Sequence, residues 1–463
     1  MTECRKQGAG FLAGLAVCAI IWFLPIDGLP EAGRRCLAMS LTAVVWWATG
    51  AMHPGYASAA LLLGYCLLLP ADVVPGSLVF QLWTTPTMYL VIGGFLLAAA
   101  VRQSGLGQRL ALYLIQRYVH SYRGILLFCY VLGFALSLMI PHPWPRSFLL
   151  MSILEHVIRA ADLGKAEARN VGLAVFAGSV PTAMILLTGD STLNPAVAGF
   201  AGVSVSWMQW LLYMGVPGLC ATALTFGSQL LLFPGPRHIT LDRQEIARCR
   251  AEQGPMTALE KRVLAVILLA VALWATDSLH GIAPGWVAIF AVVLLASPWV
   301  RALDGQSWSA VPMGTLLFLT AALAIGTVGR ATGMNAWVVE RLLPAHAPTS
   351  PWLFALATAA LCMPLHMALG STLAVLGIAA PAVIAFGMEA GIPPLAAALL
   401  AYTAVALHWL LPFHHMNLLV GVGEQAGGYG NREALRMGLA QTGVTLLILL
   451  VEVAWWKGIG LLT

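Results

Sequence analysis

Four short runs concentrate the polar chemistry of an otherwise apolar chain. "MIPHPWPRSF" (139–148) sets His142, Arg146 and Ser147 among three prolines, Pro141, Pro143 and Pro145. "TGDSTLNP" (188–195) carries Asp190, Ser191, Thr192 and Asn194. "CMPLHMALGSTLAVL" (362–376) supplies His366, Gly370, Ser371 and Thr372, and "LLPFHHMN" (410–417) supplies His414, His415 and Asn417. A guanidinium beside a helix that restarts after prolines suits an anion, because unpaired N–H groups and the helix dipole both favour negative charge there. Hydroxyls can donate to the same ligand. Imidazoles and a carboxylate at helix breaks suit proton coupling, since histidine titrates near neutrality.

Each residue also has a plainer role. Arg146 could pair with Glu155 or sit at the tip of an ordinary loop. His366 is a lone histidine among apolar neighbours, which is often a satisfied core residue. Asp190 could coordinate a cation or carry a proton, or it could simply cap a helix. A transition-metal site built from His142, His414, His415 and Asp190 is a further alternative. Against it, adjacent His414 and His415 lack the i, i+4 spacing of a helix-borne pair, and Arg146 repels a cation.

The elements that position these groups must lie in a membrane. Of 463 residues, 60% are hydrophobic and 9% charged, with a mean hydropathy of +0.85. A soluble domain carries about 25% charged residues. Apolar windows near the roughly 20 residues needed for a crossing recur along the chain, without the short alternating strands of a barrel. They fall at 8–26, 36–52, 56–70, 84–103, 171–200, 207–233, 260–276, 283–300, 308–329, 393–423 and 433–456, with interrupted pieces at 122–160 and 350–390. The first window follows Arg5 and Lys6 without a clean cleavage site, so it reads as a retained helix. The net charge of +5 and eight cysteines without paired spacing imply neither nucleic acid nor a disulfide or metal framework.

Pro234–Arg262 is polar and rich in arginine and lysine, so it should be cytoplasmic. The amphipathic "GLGQRLALYLIQRY", flanked by Arg102 and Arg123, should lie along the same surface. Counting spans from a cytoplasmic N-terminus puts both stretches on one side.

The chain also repeats itself. "AAAVRQSGLGQRLALYL" (98–114) aligns with "GTVGRATGMNAWVVERL" (326–342), matching Arg102 with Arg330 and Gly105 with Gly333. An interrupted piece and then a broken span follow each copy, and the breaks align Asn194 with Asn417. The count between them turns the copies in opposite senses. The domain reading is an N-terminal scaffold (1–83), a first repeat (84–233) with a re-entrant hairpin at 122–160, a linker (234–262), and a second, inverted repeat (263–463) with a hairpin at 350–390. Helices broken at matching positions in inverted repeats mark a secondary transporter with its site near the midplane. Tips are expected over 141–146 and 364–372, approached from opposite sides. No phosphate-loop, zinc-protease or nucleophile-elbow motif is present, which argues against an ATP-driven pump and a soluble-type enzyme. A membrane-embedded enzyme or a non-transporting scaffold fits the inverted repeats less well.

The stretches "IGGFLLAAAVRQSGLGQRLALYLI" (92–115), "LEKRVLAVILLAVALWATDSLHGIAPGWVAI" (259–289), "LLPFHHMNLLVGVG" (410–423) and the final "LRMGLAQTGVTLLILLVEVAWW" resemble the divalent-anion:sodium symporter (DASS) family in order and spacing. The resemblance implies an all-α polytopic membrane protein of about eleven transmembrane helices plus two re-entrant hairpins. It further implies a homodimer and elevator-type transport of dicarboxylates, citrate or sulfate. Family members carry Ser-Asn-Thr at each hairpin tip, facing substrate and sodium; here the tips are Pro141-His142-Pro143 and Gly370-Ser371-Thr372.

The expectation is therefore a secondary transporter of a small anion in a bacterial-type inner membrane. Arg146, His142, Ser147, Thr192, Asn194, Gly370, Ser371, Thr372 and Asn417 would form the substrate site, and Asp190, His366, His414 and His415 the coupling groups. No cofactor is expected. The coupling ion is a proton or sodium, with protons or anion exchange favoured because neither tip supplies the family's asparagine.

Overall fold

The computed structural model describes residues 2–236, 248, 251–342, 347–370, 372–419, 421–423 and 427–462. Among them all regular structure is helical, apart from one isolated bridge between Val422 and Tyr429. The helices are α1 (Thr2–Phe23), α2 (Glu31–Thr49), α3 (Pro54–Leu68), α4 (Pro86–Ser104), α5 (Leu106–Tyr118) and α6 (Tyr122–Ser137). Next come α7 (Pro143–Ala160), α8 (Lys165–Met184), α9 (Leu193–Phe200) and α10 (Trp207–Leu232). The second half holds α11 (Ala258–Ala275), α12 (Pro284–Ala296), α13 (Met313–Ala331) and α14 (Met334–Leu342). It ends with α15 (Pro351–Leu369), α16 (Thr372–Glu389), α17 (Pro394–Ala406) and α18 (Asn431–Gly458). Short turns between these are left unlabelled. Among the described residues, seven helices are long and apolar enough to cross a membrane, and four shorter ones are apolar. With each broken helix counted as one crossing, the chain makes about eleven, plus two hairpins.

The same order of elements occurs twice. α4 turns into α5 at Gly105 (φ 76°), and α13 turns into α14 across Gly333 (φ 79°). Both glycines adopt the left-handed conformation that a side chain disfavours, which is why the aligned pair is glycine in both copies. The parts also pack across one another. α3 of the N-terminal scaffold packs along α13 of the second copy, while α12 of the second copy packs along α4 of the first. Absent side chains permit both crossings: a Cβ on Gly55 would lie 2.7 Å from the Gly314 Cα, and one on Gly285 would lie 1.9 Å from the Pro86 carbonyl. With no hydrophobic drive between helices in lipid, such close approach supplies the packing energy. Leu12, Ile20, Phe23, Leu67 and Leu231 point outward, as lipid-facing side chains do.

Both hairpins are present, with narrower tips than the prolines suggested. α6 unwinds over Leu138–Ile140, and α7 begins at Pro143, so Arg146 lies in its first turn rather than in a non-helical tip over 141–146. The physical reason is that the first four N–H groups of a helix have no helical acceptor, so proline costs nothing there. Pro364, expected to open the second break, lies inside α15, which continues to Leu369. The break falls at Gly370 (φ 64°), whose N–H caps the helix on the His366 carbonyl at 2.8 Å. A proline is tolerated within a membrane helix when its neighbours satisfy the freed carbonyl. Ser371, and residues 237–247 and 249–250 of the expected 234–262 linker, lie outside the described residues.

Candidate functional site

Each hairpin tip is tied to the broken helix of its own half. At the first tip, His142 is the N-cap of α7, its Nδ1 accepting the Trp144 N–H at 3.3 Å. Its ring packs on Phe95 of α4, with centroids 4.6 Å apart. The Ser191 N–H donates to the Pro141 carbonyl at 2.9 Å, joining tip to break. Arg146 Nη1 donates to the Gly189 carbonyl at 3.1 Å, inside the break between α8 and α9. A Cβ on Gly94 of α4 would fall 2.6 Å from Ser191 Oγ, so only glycine lets that helix pass beneath the junction.

At the second tip, His366 Nε2 lies 2.7 Å from the His414 carbonyl and 3.5 Å from Thr372 Oγ1. A Cβ on Gly370 would meet the Phe413 ring at 3.3 Å. His414 Nδ1 accepts the Leu410 and Leu411 N–H groups at 3.2 and 2.9 Å, and so holds the chain where α17 has ended.

The two breaks are then clasped to each other. Asn194 donates to the Ala183 and Leu186 carbonyls at 2.8 and 2.9 Å, replacing helical partners lost at the break. Its Oδ1 accepts the Tyr402 hydroxyl of α17 at 2.6 Å. Reciprocally, Asn417 donates to Ser179 Oγ of α8 at 3.2 Å. Each asparagine stands fifteen residues beyond the partner position of its own half: Ser179 before Asn194, Tyr402 before Asn417. Neither Ser179 nor Tyr402 stands out in the sequence, and sequence reasoning missed both.

Asp190 takes the capping role. Its Oδ1 accepts the Thr192 and Leu193 N–H groups at 2.9 and 3.0 Å, opening α9. It also interacts electrostatically with His142, Arg146 and Tyr402, and with His415 of the second break. The structure therefore gathers His142, Arg146, Ser147, Asp190, Thr192 and Asn194 at one junction, and His366, Gly370, Thr372 and His414 at the other. His415 and Asn417 reach between them.

Around the first break, several polar atoms are left over. Arg146 is 1% exposed, yet its Nε and Nη2 have no protein partner. Ser147 Oγ, Ser191 Oγ and Thr192 Oγ1 are likewise buried and unpartnered. Nε and Nη2 form one edge of the guanidinium, two parallel N–H donors of the spacing that fits a carboxylate or similar oxyanion. Ser191 was absent from the substrate set expected from sequence. Among the described residues no three His, Cys, Asp or Glu side chains meet in a metal-holding group. A cavity of about 470 Å³ lies alongside, between α9, α4 and α13; Leu187 and Pro195 line it near the break, and Arg330 lines it further out.

The chain is similar to several known proteins. The chain is 26% identical to a "Membrane protein" of Cupriavidus necator, over 97% of this chain and 93% of that one. It is 25% identical to the "Sodium-dependent dicarboxylate transporter SdcS" of Staphylococcus aureus, over 73% of this chain and 71% of the other. Identity to the spinach "Dicarboxylate transporter 1, chloroplastic" is also 25%, over 73% of this chain but 61% of the longer plant protein. Among solved structures, the YdaH transporter of Alcanivorax borkumensis, described as having an unusual topology, superposes with a TM-score of 0.54 at 16% identity. That match covers 91% of this chain and 98% of the other, and shows likeness of fold. The family model for the sodium:sulfate symporter transmembrane region spans residues 5–462, taking in both tips, both breaks and the clasp between them, and the chain belongs to that family.

Proposed function

We propose that this protein is a secondary transporter of a small anion, a di- or tricarboxylate or a sulfate-like oxyanion, and not an enzyme. The observation that carries the reading is the free edge of Arg146: two parallel donors and three unpartnered hydroxyls, all sealed from water. A buried cation with unmet donors is costly unless something negative fills the gap. The names of the spinach and staphylococcal relatives support a dicarboxylate. His142 and Asn194 shape the first junction, while Thr372, Gly370 and Asn417 complete the site from the second half; Ser371 is a further sequence candidate outside the described residues.

Movement is of the elevator type, with the clasped hairpins and broken helices travelling as one block past α4 and α13; the cavity beside α9 supports this by leaving room at that seam. The protein works as a homodimer in a bacterial-type inner membrane, N-terminus in the cytoplasm, with arginine-rich α5 and the linker on that side. Arg146 supplies a fixed positive charge beside a first tip, Pro141-His142-Pro143, that carries no asparagine. Driving is accordingly by a proton gradient or by exchange of anions. A sodium-coupled symport is the second reading, favoured by the relatives named sodium-dependent.

Arg146→Ala should weaken anion binding by about a hundredfold, the loss of one bidentate charged pair worth roughly 3 kcal/mol. Arg146→Lys should recover part of it, because a point charge lacks the fork. Titration calorimetry on purified protein of confirmed melting temperature checks both, and unchanged affinity in the alanine variant defeats the assignment. Uptake into proteoliposomes under a sodium gradient, a pH gradient or counter-anion alone separates the two coupling readings.

A further inference from the structure

α18 carries a carboxylate that the anion site does not use. Glu452 is 0% exposed, six residues before the end of an otherwise apolar crossing. Its Oε1 accepts the Thr403 hydroxyl of α17 at 2.5 Å, and its Oε2 has no partner. No Lys, Arg or His forms an ion pair with it among the described residues. The elements packed against α18 are α8, α10, α15, α17 and the Pro412–His414 turn. Their titratable groups include Arg169, itself paired with Glu433, Tyr213 and Cys220, Cys362 and His366, Tyr402, and His414. On α18 itself the nearest charge is the exposed Lys457. Tyr402, next to the Thr403 that donates to Glu452, interacts electrostatically with both Glu452 and Asp190. Tyr402 is also the donor to Asn194 at the first break.

An unpaired charge sealed in this position is among the most expensive placements available, and an intramembrane carboxylate with no structural partner calls for a functional account. We infer that Glu452 is a proton-binding site linked to anion binding at the Arg146 junction through Thr403, Tyr402 and Asn194. In the state described, Oε2 holds a proton taken from solution, and the neutral acid leaves the junction free to accept an anion. When the proton returns to solution, the new carboxylate adds negative charge behind Tyr402 and disfavours the anion. Linkage makes the effect mutual: anion binding draws a proton onto Glu452 by the same factor. This inference rests on the Arg146 junction being the anion site.

The test uses purified full-length protein with succinate and sulfate as probes. In wild type, the Kd of a bound probe should rise about tenfold per pH unit above the midpoint of the proton site, the slope for one linked proton. Glu452→Gln, which keeps a neutral hydrogen-bonding group, should hold the tight low-pH affinity at every pH. An equal slope in Glu452→Gln and wild type overturns the inference, and so does a flat wild-type curve. Arg146→Ala distinguishes the two failures, since it weakens binding by about a hundredfold at all pH values if the anion site is correct. Infrared spectroscopy gives a readout that needs no ligand. Wild type should show a protonated-carboxyl C=O band that disappears in Glu452→Gln and shifts in Thr403→Val, which retains the acid but removes its donor. Absence of that band in wild type overturns the inference whatever the binding data show.

Discussion

Asn194 makes three hydrogen bonds and His414 at least two, and in both cases the side chain stands in for backbone partners that the breaks remove. Substitution effects should follow that count. Asn194→Ala strands two carbonyls and a tyrosine hydroxyl, so it should lower stability by about 2 kcal/mol, with membrane hydrogen bonds each worth somewhat under 1 to 2. Tyr402→Phe removes one of the three and should cost about 1 kcal/mol. Melting in detergent checks the order, and equal losses would mean that the backbone carbonyls find other donors. At His414 the accepting atom is Nδ1. Asparagine places an acceptor near the same point, so His414→Asn should fold and transport where His414→Ala does not. Rescue by glutamine but not asparagine would point instead to Nε2 as the atom that matters.

At the scale of elements, the glycine crossings decide how closely the halves approach. Gly285→Ala puts a methyl 1.9 Å from the Pro86 carbonyl, with backbone rather than a flexible side chain in the way. α12 must then shift away from α4, at a cost of about 1–3 kcal/mol for overpacking. Gly227→Ala, which meets nothing within 4 Å, is the control and should be neutral in the same melting assay. The elements themselves were largely legible in sequence, because apolar length and proline or glycine punctuation are local properties. The Gly105 and Gly333 elbows and the Asn194 and Asn417 breaks stand where the repeat alignment put them. The tips were read too wide, since "PHPWP" does not reveal that its last two prolines occupy helix positions needing no N–H. The partners of the asparagines were harder. Nothing in "AAALLAYTAVA" says that its tyrosine meets a residue 208 positions earlier. Glu452 was legible in principle as a lone acid in the final apolar run, but its partner Thr403 belongs to another helix. Free atoms, as at Arg146, Ser191 and Thr192, appear only once every other bond has been assigned.

At the scale of the molecule, the proposed movement would run along the seam between α9 and α13. A Cβ on Gly199 would sit 3.5 Å from Leu323 Cδ2. In a background without the native cysteines, a Gly199→Cys, Leu323→Cys pair bridged by mercury should therefore stop transport, and a thiol should restore it. Full flux through the bridged protein would show that the seam does not slide. The first turn of α5 is secured differently: Arg109 reaches Glu260 at the start of α11 at 2.6 Å, and the Gly254 carbonyl at 2.8 Å. Arg109→Ala should loosen that corner and increase proteolysis near residues 251–257 while leaving anion affinity unchanged.

The reciprocal clasp also sets a schedule for biogenesis. The first break is complete only when Tyr402 arrives, and the Ser179 hydroxyl meets Asn417 across a separation of 238 residues. At about 5–20 residues per second, a ribosome takes roughly 10–50 s to deliver those partners. Throughout that interval the first half sits in the bilayer with Asn194 Oδ1 unmet and Arg146 facing an unfinished junction. It has to be shielded by water, lipid headgroups or the insertion machinery until the second half closes over it. A chain built this way is most vulnerable to the cell's membrane proteases halfway through its own synthesis.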